Sequence, residues 1–274
     1  MTIPNRYPNR AAALVGLLIS LAALNMLAAC GDDSPVAPDV AAAPEAPVLP
    51  DPEYLNIDLS FFDEPEQKTF GRQNFYNAYL RAVIVTSVTR LVLTPPIAAF
   101  SLALHTVPTR QPDGSWIWVY TYVSGLREAQ IRLRAIAQDG GTAWTLRMTV
   151  PDDGIQNALW FAGATHDAGR LGQWTFYDIN APDAPAVAFV SWHNDTVGRE
   201  LRLEVLAGDA AGDVLTFVVA ATHHRIDYVD ADTDNVWFIR WDMADYSGSL
   251  QVPDYRNGVE SCWGEDFFDV DCVD

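Results

Sequence analysis

From Ser115 onward, apolar and polar residues alternate with a period of two, the pattern of strands that bury one face. Trp116, Trp118, Tyr120 and Tyr122 share one face of a first predicted strand. Ile131 and Leu133 alternate with Arg132 and Arg134 in a second, and Trp144, Leu146 and Met148 alternate with Thr145, Arg147 and Thr149 in a third. Further strands are predicted over 158–164, 173–179, 187–193, 200–206, 214–221, 225–229, 236–243 and 248–252. The breaks carry turn chemistry: Asp139-Gly140-Gly141, Asp167-Ala168-Gly169, Asn194-Asp195, Gly208-Asp209, and the polar run from Asp230 to Asn235. Short turns join antiparallel neighbours. The expected fold is α+β, mainly β: a long antiparallel meander, curled into a half-barrel or barrel because so many strands in one sheet tend to curl or close.

Ahead of the strands, Glu64 to His105 reads as two helices separated at Pro95-Pro96, with Tyr76, Tyr79, Leu80, Val83, Ser87 and Leu91 at helical spacing. Pro96 suits the first turn of the second helix, Ile97–Leu104. The β-branched run Val83-Ile84-Val85-Thr86-Ser87-Val88 leaves a buried strand open over 82–94. Helices here need an apolar surface to cover, and the concave face of a curled sheet offers one.

The N-terminus has a basic start with Arg6 and Arg10, an uncharged apolar run from Ala11 to Leu24, and small residues beyond, the order of an export signal. The apolar run is shorter than the roughly 20 residues of a membrane span. Leu27-Ala28-Ala29-Cys30 followed by Gly31 resembles the lipobox of bacterial lipoproteins. That resemblance implies cleavage after residue 29 and acyl chains on Cys30, which would hold the protein at a bilayer surface. Gly31, rather than aspartate, stands where enteric lipoproteins carry an inner-membrane retention signal, so the outer membrane is favoured. The pair Asp32-Asp33 is similar to the acidic export tags of some surface lipoproteins, and the side of the membrane stays open. The domain reading is therefore a signal peptide (1–29), a lipidated Pro/Ala-rich tether (30–53) with no periodicity, and a single helix-plus-β domain (54–274).

Charge narrows the partners. The chain has 36 acidic against 17 basic residues, a formal net charge of −19, and Lys68 is its only lysine. Such a surface repels nucleic acid and anionic head groups, leaving membrane attachment to the lipid. With Cys30 taken by lipid, Cys262 and Cys272 remain as a natural disulfide pair in an exported protein. Two cysteines are too few for a structural zinc site.

Candidate chemistry is sparse. Asp230, Asp232 and Asp234 alternate as hard oxygen ligands for Ca²⁺ would, but Asn235 replaces the loop glycine and Trp241 the terminal glutamate of a calcium loop, and a polar hairpin loop accounts for the same residues. The histidines His105, His166, His193, His223 and His224 have no metal-protease or triad spacing, and no Gly-x-Ser-x-Gly elbow occurs. Tryptophan is the notable excess. Trp116, Trp118, Trp144, Trp237 and Trp241 are core if inward, pocket lining if a cavity lies beneath them, and stacking platforms if exposed. The reading that follows is a non-enzymatic, membrane-anchored envelope lipoprotein binding an apolar ligand or glycan through a Trp-rich face. The alternatives are a purely structural or interaction lipoprotein with a filled core that meets another envelope protein, and third a hydrolase. Tether, helices and meander together are similar in outline to the half-barrel lipid-carrier lipoproteins of the bacterial envelope, a likeness of architecture only.

Overall fold

The alternating stretch folds as one antiparallel sheet whose strands follow chain order, each paired with the next. In the computed structural model, which describes residues 45–62, 71–124, 127–181 and 183–272, the strands are β1 (Thr109–Arg110), β2 (Trp116–Ser124), β3 (Arg127–Gln138), β4 (Gly141–Val150), β5 (Ile155–His166), β6 (Leu171–Tyr177), β7 (Ala186–Asn194), β8 (Gly198–Val205), β9 (Val214–Ala220), β10 (His223–Asp230), β11 (Asn235–Asp242), β12 (Gly248–Gln251), β13 (Ser261–Trp263) and β14 (Asp269–Val270). All strands expected between 116 and 252 are present. The extra ones, β1, β13 and β14, are two or three residues long.

One face of the sheet is the core. Cross-strand register aligns Trp118, Leu133, Leu146, Phe161, Phe176 and Ala188 in one row, and Trp192, Leu201, Phe217, Ile226, Ile239 and Leu250 in another. All of these side chains are buried. Indoles are accommodated by glycine: Gly172 is opposite Trp192 and Gly248 opposite Trp263, and a Cβ at either glycine would fall inside the facing indole. The rings thus lie flat over neighbouring strands instead of standing up from the sheet.

The sheet stays open. β1 and β14 are edges that do not pair with each other, and the barrel or strongly curled half-barrel expected from strand number is not formed. Closure is unnecessary because other elements cover the apolar face. The outermost strands are two residues long, and beyond Ile117 the outer side of β2 has no strand partner among the described residues.

The main cover is a single helix, α1 (Gln73–Ala103). It runs through Pro95 and Pro96, so the break expected there is absent, and Ala82–Thr94 is helix. Each proline removes one backbone hydrogen bond; buried Phe75, Ala78, Ala82 and Val85 before them, and Ala99, Phe100 and Ala103 after them, hold both halves against one sheet. The covered stripe also differs from the expected one, since Leu80 and Val83 are 41% and 43% exposed. Phe75 meets Trp263 edge-on at 5.8 Å, while Phe100 meets Trp144 edge-on at 5.5 Å and stacks on Trp174 at 5.0 Å. The helix therefore braces the sheet near both ends. Among the described residues no helix is long and apolar enough to cross a membrane.

The start of α1 is capped from the far end of the chain. Arg72 makes no side-chain cap; instead the Asn74 N–H donates to the Asp269 carboxylate at 2.8 Å. A carboxylate at this end satisfies an orphan N–H and suits the helix dipole. The fully buried Asn74 side chain donates to the Cys262 carbonyl at 2.6 Å and accepts from the Tyr255 hydroxyl at 2.8 Å.

The second cover is the strap from residue 45 to residue 62. Leu55, Leu59 and Phe62 are buried, Phe61 stacks on Trp241 at 5.6 Å, and Arg199 donates to the Glu53 carbonyl at 2.6 Å. Ala46, Leu49 and Pro50 also pack down, so the folded unit begins at Glu45 and takes in the last residues of the stretch expected as tether.

Candidate functional site

Among the described residues two cavities stand out on the covered face, one on each half of α1. The first, of 440 Å³, lies between Ala98, Ala99 and Leu102 of the helix and β2–β5, where Tyr120, Ile131, Met148 and Trp160 form its apolar wall. The Tyr120 hydroxyl donates to the Ala99 carbonyl at 2.7 Å and pins the helix to the sheet beside the cavity. Burial pushes that phenol well above its ordinary range, so it stays a neutral donor. Glu128, Asp153 and Asn180 add polar groups to the lining.

The second cavity, of 610 Å³, lies between Asn77, Leu80, Arg81 and Val85 of the helix and β8–β11. Leu203, Val205 and Leu215 give it an apolar floor, continued by Tyr228 and Trp237, which face each other in register and stack at 5.0 Å. Asp213, 7% exposed, accepts from the Tyr228 hydroxyl and from the Ala231 N–H at 2.9 Å. Burial first, then the hydrogen bond to Asp213, pushes the Tyr228 phenol far above its usual value. Arg81 is paired with Asp254 at 2.5 Å and also donates to the Asn77 carbonyl. Both cavities fall within the 300–1,000 Å³ range common for small-molecule sites.

The five candidate indoles divide. Trp118, Trp144 and Trp241 are buried core, and the Trp144 ring N–H donates to Thr165 Oγ1 at 2.8 Å. Trp116 is half-buried against the core, and Trp237 lines the second cavity. Asp230, Asp232 and Asp234 do not converge: Asp230 accepts from the N–H groups of Asp232 and Thr233, closing the β10–β11 turn, and Asp232 and Asp234 are exposed. Among the described residues no group of three or more His, Cys, Asp or Glu side chains is placed to hold a metal ion.

His223 and His224 lie on opposite faces of β10. His224, 8% exposed, sits edge-on to Phe217 and Trp241, with burial pushing its imidazole below the ordinary range against the opposing pull of Asp58. Cys262 and Cys272 are joined by a disulfide, with their Cα atoms 5.2 Å apart. Cys30 and the rest of the lipobox-like segment lie outside the described residues.

Sequence reasoning missed Asp213, Arg81 and Asp254, which come to line one cavity only through tertiary packing. No family model, curated protein or solved structure matches this chain.

Proposed function

We propose that this chain is a non-enzymatic envelope protein, lipid-anchored through Cys30, whose domain carries an apolar ligand in the cavity between the C-terminal half of α1 and β2–β5. The observation that supports this reading is the cavity itself, a half-open pocket of 440 Å³ with mostly apolar walls between helix and sheet. A half-open pocket of that size lined by Ala, Ile, Met and Trp exposes apolar surface that a hydrocarbon ligand would remove from water. A sugar-stacking platform has less support, since Trp118, Trp144 and Trp241 are covered.

The test uses the chain with Cys30→Ser, so that no lipid is covalently attached. Native mass spectrometry should show a retained apolar molecule, and after its extraction the protein should take up N-phenyl-1-naphthylamine and release it to a fatty acid. Ala129→Phe, which puts a ring into the cavity from β3, should abolish uptake while the fold is kept. A protein that carries nothing and takes up no probe has a filled, structural role instead. Intact mass of the unmodified chain from membranes tests the lipid on Cys30 separately.

A further inference from the structure

The second cavity has a different chemistry from the first. Asp213 is almost wholly buried, yet its partners are neutral donors: the Tyr228 hydroxyl and the Ala231 N–H. Among the described residues no Arg, Lys or His forms a salt bridge with it. Among the described residues of the cavity wall the one cation is Arg81, which is paired with Asp254. Among the described residues the charged groups of the lining are Asp213, Asp254 and Arg81, an excess of one carboxylate that favours a cation in this partly desolvated space.

The walls state which kind of cation. A small hard metal ion needs six or more oxygen ligands, and here two carboxylates stand among apolar and aromatic side chains. A polyatomic cation with apolar surface is matched by aromatic faces, which attract positive charge and tolerate methyl groups. We propose that this cavity binds a monovalent organic ammonium ion, its charged head against Asp213 and the Tyr228–Trp237 stack and its apolar substituent along Leu203, Val205 and Leu215. The site is independent of the apolar ligand assigned to the other cavity.

The experiment compares choline with 3,3-dimethylbutanol, its neutral isostere, by titration calorimetry on the full chain. Hexyltrimethylammonium probes the apolar floor. Choline should bind saturably, the alcohol about tenfold or more weakly, and the hexyl compound more tightly than choline. Asp213→Asn keeps acceptor geometry for Ala231 but removes the charge, and should weaken choline about tenfold. Asp254 is 79% exposed, so Asp254→Asn leaves folding intact even if the Asp213 variant does not fold; it frees Arg81 to cancel Asp213 and should weaken binding similarly. Asp139→Asn, in the exposed β3–β4 turn, should change nothing. Equal affinity for choline and the alcohol, equal weakening by the Asp139 variant, or no saturable binding of any probe would each overturn the proposal, the second because bulk negative charge would then explain the effect.

Discussion

Replacing Asn74 by alanine tests whether the seam between α1 and the C-terminal hairpin is held by one buried amide. The side chain makes two hydrogen bonds, to the Cys262 carbonyl and from the Tyr255 hydroxyl, and is fully buried. Each bond contributes roughly 0.5–1.5 kcal/mol net, and leaving a buried partner unsatisfied adds about 1–3 kcal/mol. Tyr255 is only half-buried and can recover a water, so the carbonyl dominates the penalty, and the expected total is about 3 kcal/mol. At roughly 2–4 °C per kcal/mol for a domain of this size, Tm should fall by about 6–12 °C. Urea unfolding followed by far-UV circular dichroism, without reductant, measures this directly. Tyr255→Phe, which removes one bond and leaves the amide donor paired, should cost only about 1 kcal/mol. An Asn74→Ala variant within about 0.5 kcal/mol of the parent, or a Tyr255→Phe variant equally damaged, would refute the assignment.

Two other outcomes are expected. Gly172→Val places a branched side chain where the Trp192 indole lies, against a ring whose N–H donates to the Gly169 carbonyl at 2.9 Å; a loss of about 2–4 kcal/mol and a changed near-ultraviolet circular dichroism spectrum should follow, and unchanged stability would show that the ring has room to move. For pH, the buried His224 imidazole is held below its unfolded value of about 6.5. The unfolded chain therefore binds more protons than the folded one just below that pH, and stability should fall on acidification through this window until the folded imidazole also protonates. His224→Gln should flatten the profile there; a slope that persists unchanged assigns it to other groups.

The strands were legible because alternation records which side chains turn inward. β11 shows this most plainly, with Trp237, Ile239 and Trp241 on one face as their spacing implies. The helix was harder to read. Its buried stripe uses Ala78, Ala82, Ala99 and Ala103, small residues that let the helix approach the sheet but carry a weak hydrophobic signal, while Leu80 and Val83 advertise another face. The prolines misled for a related reason: a local rule against helix continuation was outweighed by packing on both sides of them. Closure was over-predicted because strand number says nothing of what else covers the sheet. The strap does carry a period-two alternation, Leu55, Ile57, Leu59 and Phe61 against Asn56, Asp58 and Ser60, but that pattern did not say which surface the segment would cover. The cavities had no linear signature, since Arg81, Asp213 and Asp254 come together only when distant elements dock.

The cap that Asp269 provides for α1 bears on the order in which the molecule can be finished. A ribosome delivers residues 73–103 well before residue 269, so the Asn74 N–H in the first turn of the helix is left to water until β14 has emerged. Hairpins can assemble one after another as they appear, but the brace across them is completed by the last strand. A product cut short by a dozen residues would lack both the keystone carboxylate and the cystine beside it, leaving the longest helix without its anchor.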